Sequence, residues 1–349
     1  MKLKLLSMAC CGLLLTACQS TSPSKDSNDY VADTAEHLSR AVYLVQFDSA
    51  VTFRVSTQTL STEVNQYCSA DEAASLDELK SAWHQTMDSW MALQGQERGP
   101  VKALEESWNI QFWPDKKNTT GLKMNQLTKQ QKLWSQAEIA EQSVTVQGVG
   151  AIEWLLYDAQ SPLLVDKAHG CQSAQAIAKN LVVKSGNIAN AWQVNPWSTL
   201  DAKRWDSEYV AILTNQLDYS MKKLSRPMAK IGKPRPYFAE SWRSRTSMLQ
   251  LKANVEAMQA LYLANDDGLD ALLRDKGHIP LADRVSNQFI DILSAWPAES
   301  SLFDLLQTKD GYRLVLAQYN KLDQLKYLIH EEVAIELGVI IGFNATDGD

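Results

Sequence analysis

The stretch LVLAQYNKLDQLKYLIHEEV (residues 314–333) sets Leu316, Tyr319, Leu322, Leu325, Ile329 and Val333 three or four residues apart. One face of an α-helix repeats at that interval, whereas a strand alternates at every second residue. The residues between them are mostly polar, so the segment is a helix with one apolar face. The same period runs through much of the chain. Leu38, Val42 and Val45, then Leu60, Val64 and Tyr67, carry it near the start. Ser75-Leu-Asp-Glu78 reads as a capping box opening a helix that bears Trp83 and Trp90. Further helices are predicted from about Gln172 to Trp192, from Asp201 to Leu224, and within 241–265. Pro227, Pro234 and Pro236 break the pattern between the last two. Only SVTVQ (143–147) alternates like a strand, and so short a run makes no sheet. The expected fold is all-α.

With 349 residues and 45% hydrophobic content, the chain can bury a large core in one or two domains. A formal net charge of −7, read as an acidic chain without a basic cluster, argues against nucleic acid as a partner, since phosphate binding rests on Lys and Arg. The helical period lapses near Pro162–Gly170. This suggests an N-terminal half over 30–165 and a C-terminal half over 166–349, each long enough for a helical bundle.

The first residues, MKLKLLSMACCGLLLTAC, combine two lysines with an apolar run too short to span a bilayer comfortably. Residues 1–17 read as a signal peptide. Leu15-Thr16-Ala17-Cys18 resembles the bacterial lipobox, which makes Cys18 the expected lipidation site. Residues 18–29 then form a Ser-rich tether that reaches roughly 35–40 Å when extended. Gln19 after the cysteine, by resemblance to enterobacterial lipoproteins, points to the periplasmic side of the outer membrane. The partner so implied is the membrane, through the anchor. Cys10 and Cys11 leave with the signal, so Cys68 and Cys171 remain, and in an oxidising compartment they are expected to pair.

Several short motifs, most of them at or beside breaks in the helical pattern, carry unusual residue combinations. In order they are W-x6-W with Arg98-Gly99-Pro100 behind it, Phe112-Trp113-Pro114-Asp115-Lys116, Gly148 to Glu153-Trp154-Leu155-Leu156, Arg243-Ser244 to Thr246-Ser247, and Gly342-Phe343-Asn344 to Asp347-Gly348-Asp349. Their order and separations resemble the imelysin family of bacterial envelope proteins. That resemblance implies two bundle-like helical halves with a cleft between them. It also implies an exported, often lipid-anchored protein linked to iron uptake, with other envelope iron-uptake components as partners. A metallopeptidase activity has been proposed for the family, so peptidase and purely structural lipoprotein stand as alternatives to a ligand-binding role. Carried over motif by motif, the expected ligand-binding set is Arg98, Trp113, Asp115, Glu153, Arg243, Ser244, Asn344 and Asp347.

The family hallmark is G-x-H-x-x-E. Aligned on Gly148 and Glu153, the histidine position is Gly150. Residues three apart share a helix face, so His and Glu there would grip one metal ion, and glycine offers no ligand. Iron or another metal is thus implied by the resemblance and not by ligand spacing. His330-Glu331-Glu332 begins H-E-x-x-H, but Ala334 stands where the second histidine belongs. No G-x-S-x-G elbow, P-loop or dinucleotide fingerprint is present. Gly150 costs a helix interior roughly 1 kcal/mol relative to alanine. Two readings of it are open. It lets the 112–117 loop or the terminal 342–349 segment descend beside Glu153, or it permits close helix packing with Glu153 held by Arg243 or Arg98.

Overall fold

The structure is a computed structural model that describes residues 37–69 and 75–339. The signal segment, Cys18, the tether, Asn344 and Asp347 lie outside the described residues. Helix α1 (Arg40–Ser69) buries Gln46, Ala50, Phe53, Thr57, Leu60 and Val64, an unbroken alternation of three- and four-residue steps. Such a seam needs long partners. They are α2 (Leu76–Met91) and, after the shorter α3 (Thr119–Thr128) and α4 (Val149–Tyr157), helix α5 (Lys167–Ala191). Ser75 caps α2, its hydroxyl accepting from the Asp77 and Glu78 amides at 3.1 and 3.4 Å, which is the Ser75 half of the expected capping box. Because α5 packs along α1, the first bundle runs on past Pro162–Gly170 as far as Ala191. Residues 143–147 fold as a 3₁₀ turn over Val144–Val146, and no strand occurs among the described residues.

The second bundle is α6 (Ala202–Met228), α7 (Ser247–Leu263), α8 (Ile279–Ser294) and α9 (Lys309–Tyr327). The apolar stripe of 316–333 faces its core: Leu322, Leu325, Ile329 and Val333 are all buried. Its end differs from the regular helix expected, since Leu328–Val333 forms a π turn. The two bundles meet where α7 lies against α2. Helix α2 ends without a capping glycine, so its last carbonyls need outside donors. The second bundle supplies them: Asn254 Nδ2 donates to the Met91 carbonyl at 2.7 Å, and Gln216 Nε2 to that of Ala92 at 2.9 Å.

The end of α1 is tied to the start of α5 by the Cys68–Cys171 disulfide, as the cysteine usage suggested. It closes a loop with a sequence separation of 103 residues. Loop-closure entropy makes such a long link worth about 2–4 kcal/mol. Thiol titration of the unfolded, unreduced mature protein should find neither cysteine free. The double variant Cys68→Ser/Cys171→Ser should unfold at lower urea, by that energy. An unchanged midpoint would show that the link does not hold the first bundle together.

Candidate functional site

Helix α4 carries the G-x-G-x-x-E segment, and its two glycines have opposite surroundings. Gly148 is the N-cap, and a Cβ placed there would sit 2.0 Å from the Ile110 carbonyl oxygen and 2.5 Å from that of Asn109. At Gly150 a Cβ would meet nothing within 4 Å. The expectation that Gly150 admits a neighbouring loop is therefore wrong, and so is close helix packing at that position. The close approach belongs to Gly148, two residues earlier. Gly150 instead faces a small cavity of about 40 Å³, lined also by Gln111, Trp113, Asp115, Glu153 and Arg243. A space of that size holds a water molecule or one small polar group.

Glu153 lies one turn on, with only 5% of its surface exposed. Neither Arg243 nor Arg98 holds it by a direct bond. Its Oε1 accepts from the Ser244 amide at 2.9 Å and the Ser244 hydroxyl at 3.0 Å. Oε2 receives no hydrogen bond from the described residues. Burial pushes the Glu153 carboxyl above its ordinary value, against the pull of Arg243 and the Ser244 bonds and with a smaller push from Glu240. Ser244 belongs to the loop between the Pro236–Phe238 turn and α7, where Ser241 and Arg245 take φ of 48° and 62°. Non-glycine residues hold that left-handed conformation only where the surroundings impose it.

Those surroundings are polar and buried. Lys223 of α6 is 2% exposed, and its ammonium donates to Gln94 Oε1 at 2.9 Å and Asn254 Oδ1 at 2.6 Å and pairs with Glu240. Gln94 Nε2 in turn donates to Glu240 Oε1 and to Gln111 Oε1, each at 2.5 Å. Burial pushes the Lys223 pKa down, and the Glu240 carboxylate opposes that. Three residues further along the loop, Arg243 Nε donates to Asp158 Oδ2 at 2.8 Å and its NH2 to Asn118 Oδ1 at 2.5 Å. One loop of the second bundle is thereby fastened to α4, to the 112–118 segment and to the end of α2.

The structure brings together five of the expected site residues. Glu153, Trp113, Asp115 and Arg243 line the cavity, and Ser244 is bonded to Glu153. Asp115 is committed elsewhere, its two oxygens accepting from the Thr119 and Thr120 amides at 2.6 and 2.8 Å at the start of α3. Trp113 donates from Nε1 to the Phe238 carbonyl at 3.1 Å. Arg98 does not join them, because it is 45% exposed and pairs with Glu208 at 3.5 Å.

A metal implied by the family does not fit this donor set. Asp115, Asp158 and Glu240 are taken by amides, a guanidinium and an ammonium, and Glu153 offers one open oxygen. Among the described residues no group of three or more His, Cys, Asp or Glu could hold an ion. His330 is partly exposed and contacts Glu331 at 2.9 Å.

Lys223, Gln94 and Glu240 were not recognised from sequence. Lys223 sits in a Lys-Lys pair that reads as solvated, and only the missing cap at the end of α2 hinted at partners there. The structure also corrects the reading that the chain lacks a basic cluster. Lys116, Arg226, Lys230, Lys233 and Arg235 line one groove, and the run KKLSRPMAKIGKPR (222–235), which holds no acid, was its signal.

Open space beside Gly150 reverses the usual worry about filling a glycine. Gly150→Ala should stabilise the fold by about 0.4–1 kcal/mol. Gly148→Ala should destabilise it by about 1–3 kcal/mol or more. Urea unfolding of both variants checks the pair, and a destabilised Gly150→Ala would contradict the open-space reading.

Glu153 gives a pH signature. Its native pKa lies above the ordinary 4.5, so between 4.5 and the native value the folded state holds the proton more tightly. Its contribution to stability is complete below 4.5 and lost as pH rises through that window. Glu153→Gln keeps an acceptor for Ser244 and cannot ionise. Stability measured from pH 4 to 8 should therefore shift progressively in favour of Glu153→Gln as pH rises. A difference that stays flat would mean that the carboxyl titrates normally.

The imelysin family model matches residues 48–329. Among solved structures, an imelysin-like protein from Psychrobacter arcticum superposes with a TM-score of 0.73 at 17% identity, covering 90% of this chain and 98% of that one. A protein from Parabacteroides distasonis assigned as an iron-regulated protein A precursor gives a TM-score of 0.63 at 12% identity, with 90% and 97% covered. No curated protein sequence matches. The two superpositions establish a shared fold, and the motif-level match extends over most of the chain: the protein belongs to the imelysin family.

Proposed function

We propose that this protein is an exported, lipid-anchored envelope protein that binds a ligand at the seam between its two bundles in the service of iron handling, and that it does not cleave peptides. The observation that carries the binding role is Glu153. It is a buried carboxyl with one oxygen fixed by Ser244, the other left without a bond among the described residues, and a small cavity beside it. A carboxylate oxygen left open beside a polar cavity marks a place for a partner. The iron link rests on the family and on the assignment of the Parabacteroides distasonis protein as iron-regulated. Lipid anchoring rests on the Leu15–Cys18 segment.

The donor chemistry favours a ligand that inserts one polar group over a bare ion. Burial raises the pKa of Glu153, so it keeps its proton to higher pH than an ordinary carboxyl, and in that form it can donate to a ligand oxygen. A peptidase of the family's proposed type would need a ligand from position 150, which glycine does not provide.

Equilibrium dialysis with ferric citrate, run beside a fluorogenic-peptide hydrolysis assay, tests this reading. Wild type should retain the iron complex, and Glu153→Ala should weaken retention about tenfold, the usual effect of removing a hydrogen bond to a charged or strongly polar group. Neither should hydrolyse peptide. Hydrolysis that disappears in Glu153→Ala would establish the peptidase, and absence of retention by wild type would remove the iron-ligand role.

A further inference from the structure

We infer that the basic groove of residues 226–235 is a second membrane contact, one that seats the phosphate headgroups of an anionic bilayer. The chain is acidic overall, at −7, yet five cations converge on this groove. Lys116 comes from the 112–118 segment. Arg226 lies on the last turn of α6, and Lys230, Lys233 and Arg235 lie on the loop behind it. No carboxylate lines the groove, whose volume is about 1000 Å³. Among the described residues none of the five is ion-paired, whereas Arg98, Lys132, Lys184, Lys276 and Lys326 elsewhere each have a carboxylate within 4 Å.

The groove is held open by its own structure. Arg226 stacks over Trp113 at 5.6 Å and Arg235 over Phe238 at 5.4 Å, which orients both guanidiniums. The Arg235 amide donates to the Pro227 carbonyl at 2.7 Å and closes the loop. Within it, the Lys233 amide donates to the Lys230 carbonyl at 2.8 Å, around Gly232 with φ of 75°. This tight turn lifts Ile231 to its apex, where 84% of the residue is exposed.

An exposed apolar tip on the same loop as Lys230 and Lys233 selects a bilayer over a free anion. The cations draw the loop to anionic headgroups, and the isoleucine gains by entering the acyl boundary. A soluble phosphate would use the cations and leave Ile231 in water. This contact is independent of Glu153 and of the seam cavity, and it would turn the basic face of an anchored protein toward the membrane.

Sedimentation with vesicles tests it, using the chain from residue 19 onward so that neither the apolar leader nor an acyl chain contributes. Vesicles of 30% phosphatidylglycerol in phosphatidylcholine should bind the protein, and pure phosphatidylcholine should not. A single basic residue near an anionic surface is worth about fivefold in binding, so Lys230→Gln/Lys233→Gln/Arg235→Gln should lose roughly a hundredfold. Ile231→Ser, which leaves every charge in place, should lose severalfold. These residues are exposed, and both variants should melt as wild type does. No phosphatidylglycerol-dependent binding would overturn the proposal. So would pyrophosphate binding that needs the three cations and is indifferent to Ile231→Ser, because the site would then serve a free anion.

Discussion

A lysine buried to 98% of its surface has to be met by a carboxylate and by further acceptors, or it must give up its charge. Lys223 meets Glu240, Gln94 and Asn254 at the point where the two bundles touch. That requirement seats the loop after the Pro236–Phe238 turn, because Glu240 is its first acidic residue. Once Glu240 is in place, Ser244 reaches Glu153 and Arg243 reaches Asp158 and Asn118. The candidate site is thus a consequence of how the seam satisfies its buried charge. An apolar seam would be as stable or more so, but it would not specify where the loop lies.

The fold was legible because helices announce themselves locally. Leu322, Leu325, Ile329 and Val333 are three or four residues apart in sequence and buried together in space. Ser75 caps the helix it precedes for the same local reason. What was not legible depended on elements far away in the chain. Whether Gly148 or Gly150 needs to be glycine turns on where the Ile110 carbonyl lies, about forty residues upstream. Sequence placed the close approach in the right segment and at the wrong glycine. Arg98 and Arg243 look equivalent as candidate partners of Glu153, yet one pairs with Glu208 and the other with Asp158. The lapse in helical period at Pro162–Gly170 falls between α4 and α5, which both pack within the first bundle.

Gly150 leaves room beside Glu153 and offers no ligand of its own. The remaining acids of the site are each engaged by a neighbour. Family membership therefore fixes the architecture of this protein more firmly than its chemistry. The basic groove next to the site, sharing Phe238 with the cavity lining, adds a feature that the family motifs do not describe.

Hydrogen exchange at the Ser244 amide tests the central claim most directly, since that N–H is the bond between the loop and Glu153. In Lys223→Met the carboxylate of Glu240 loses its counter-ion, and the loop should come away from α4. The account predicts that Ser244 exchange accelerates at least tenfold while amides in the middle of α1 keep their protection. Unchanged protection at Ser244, with α1 also unchanged, would show that Lys223 does not seat the loop.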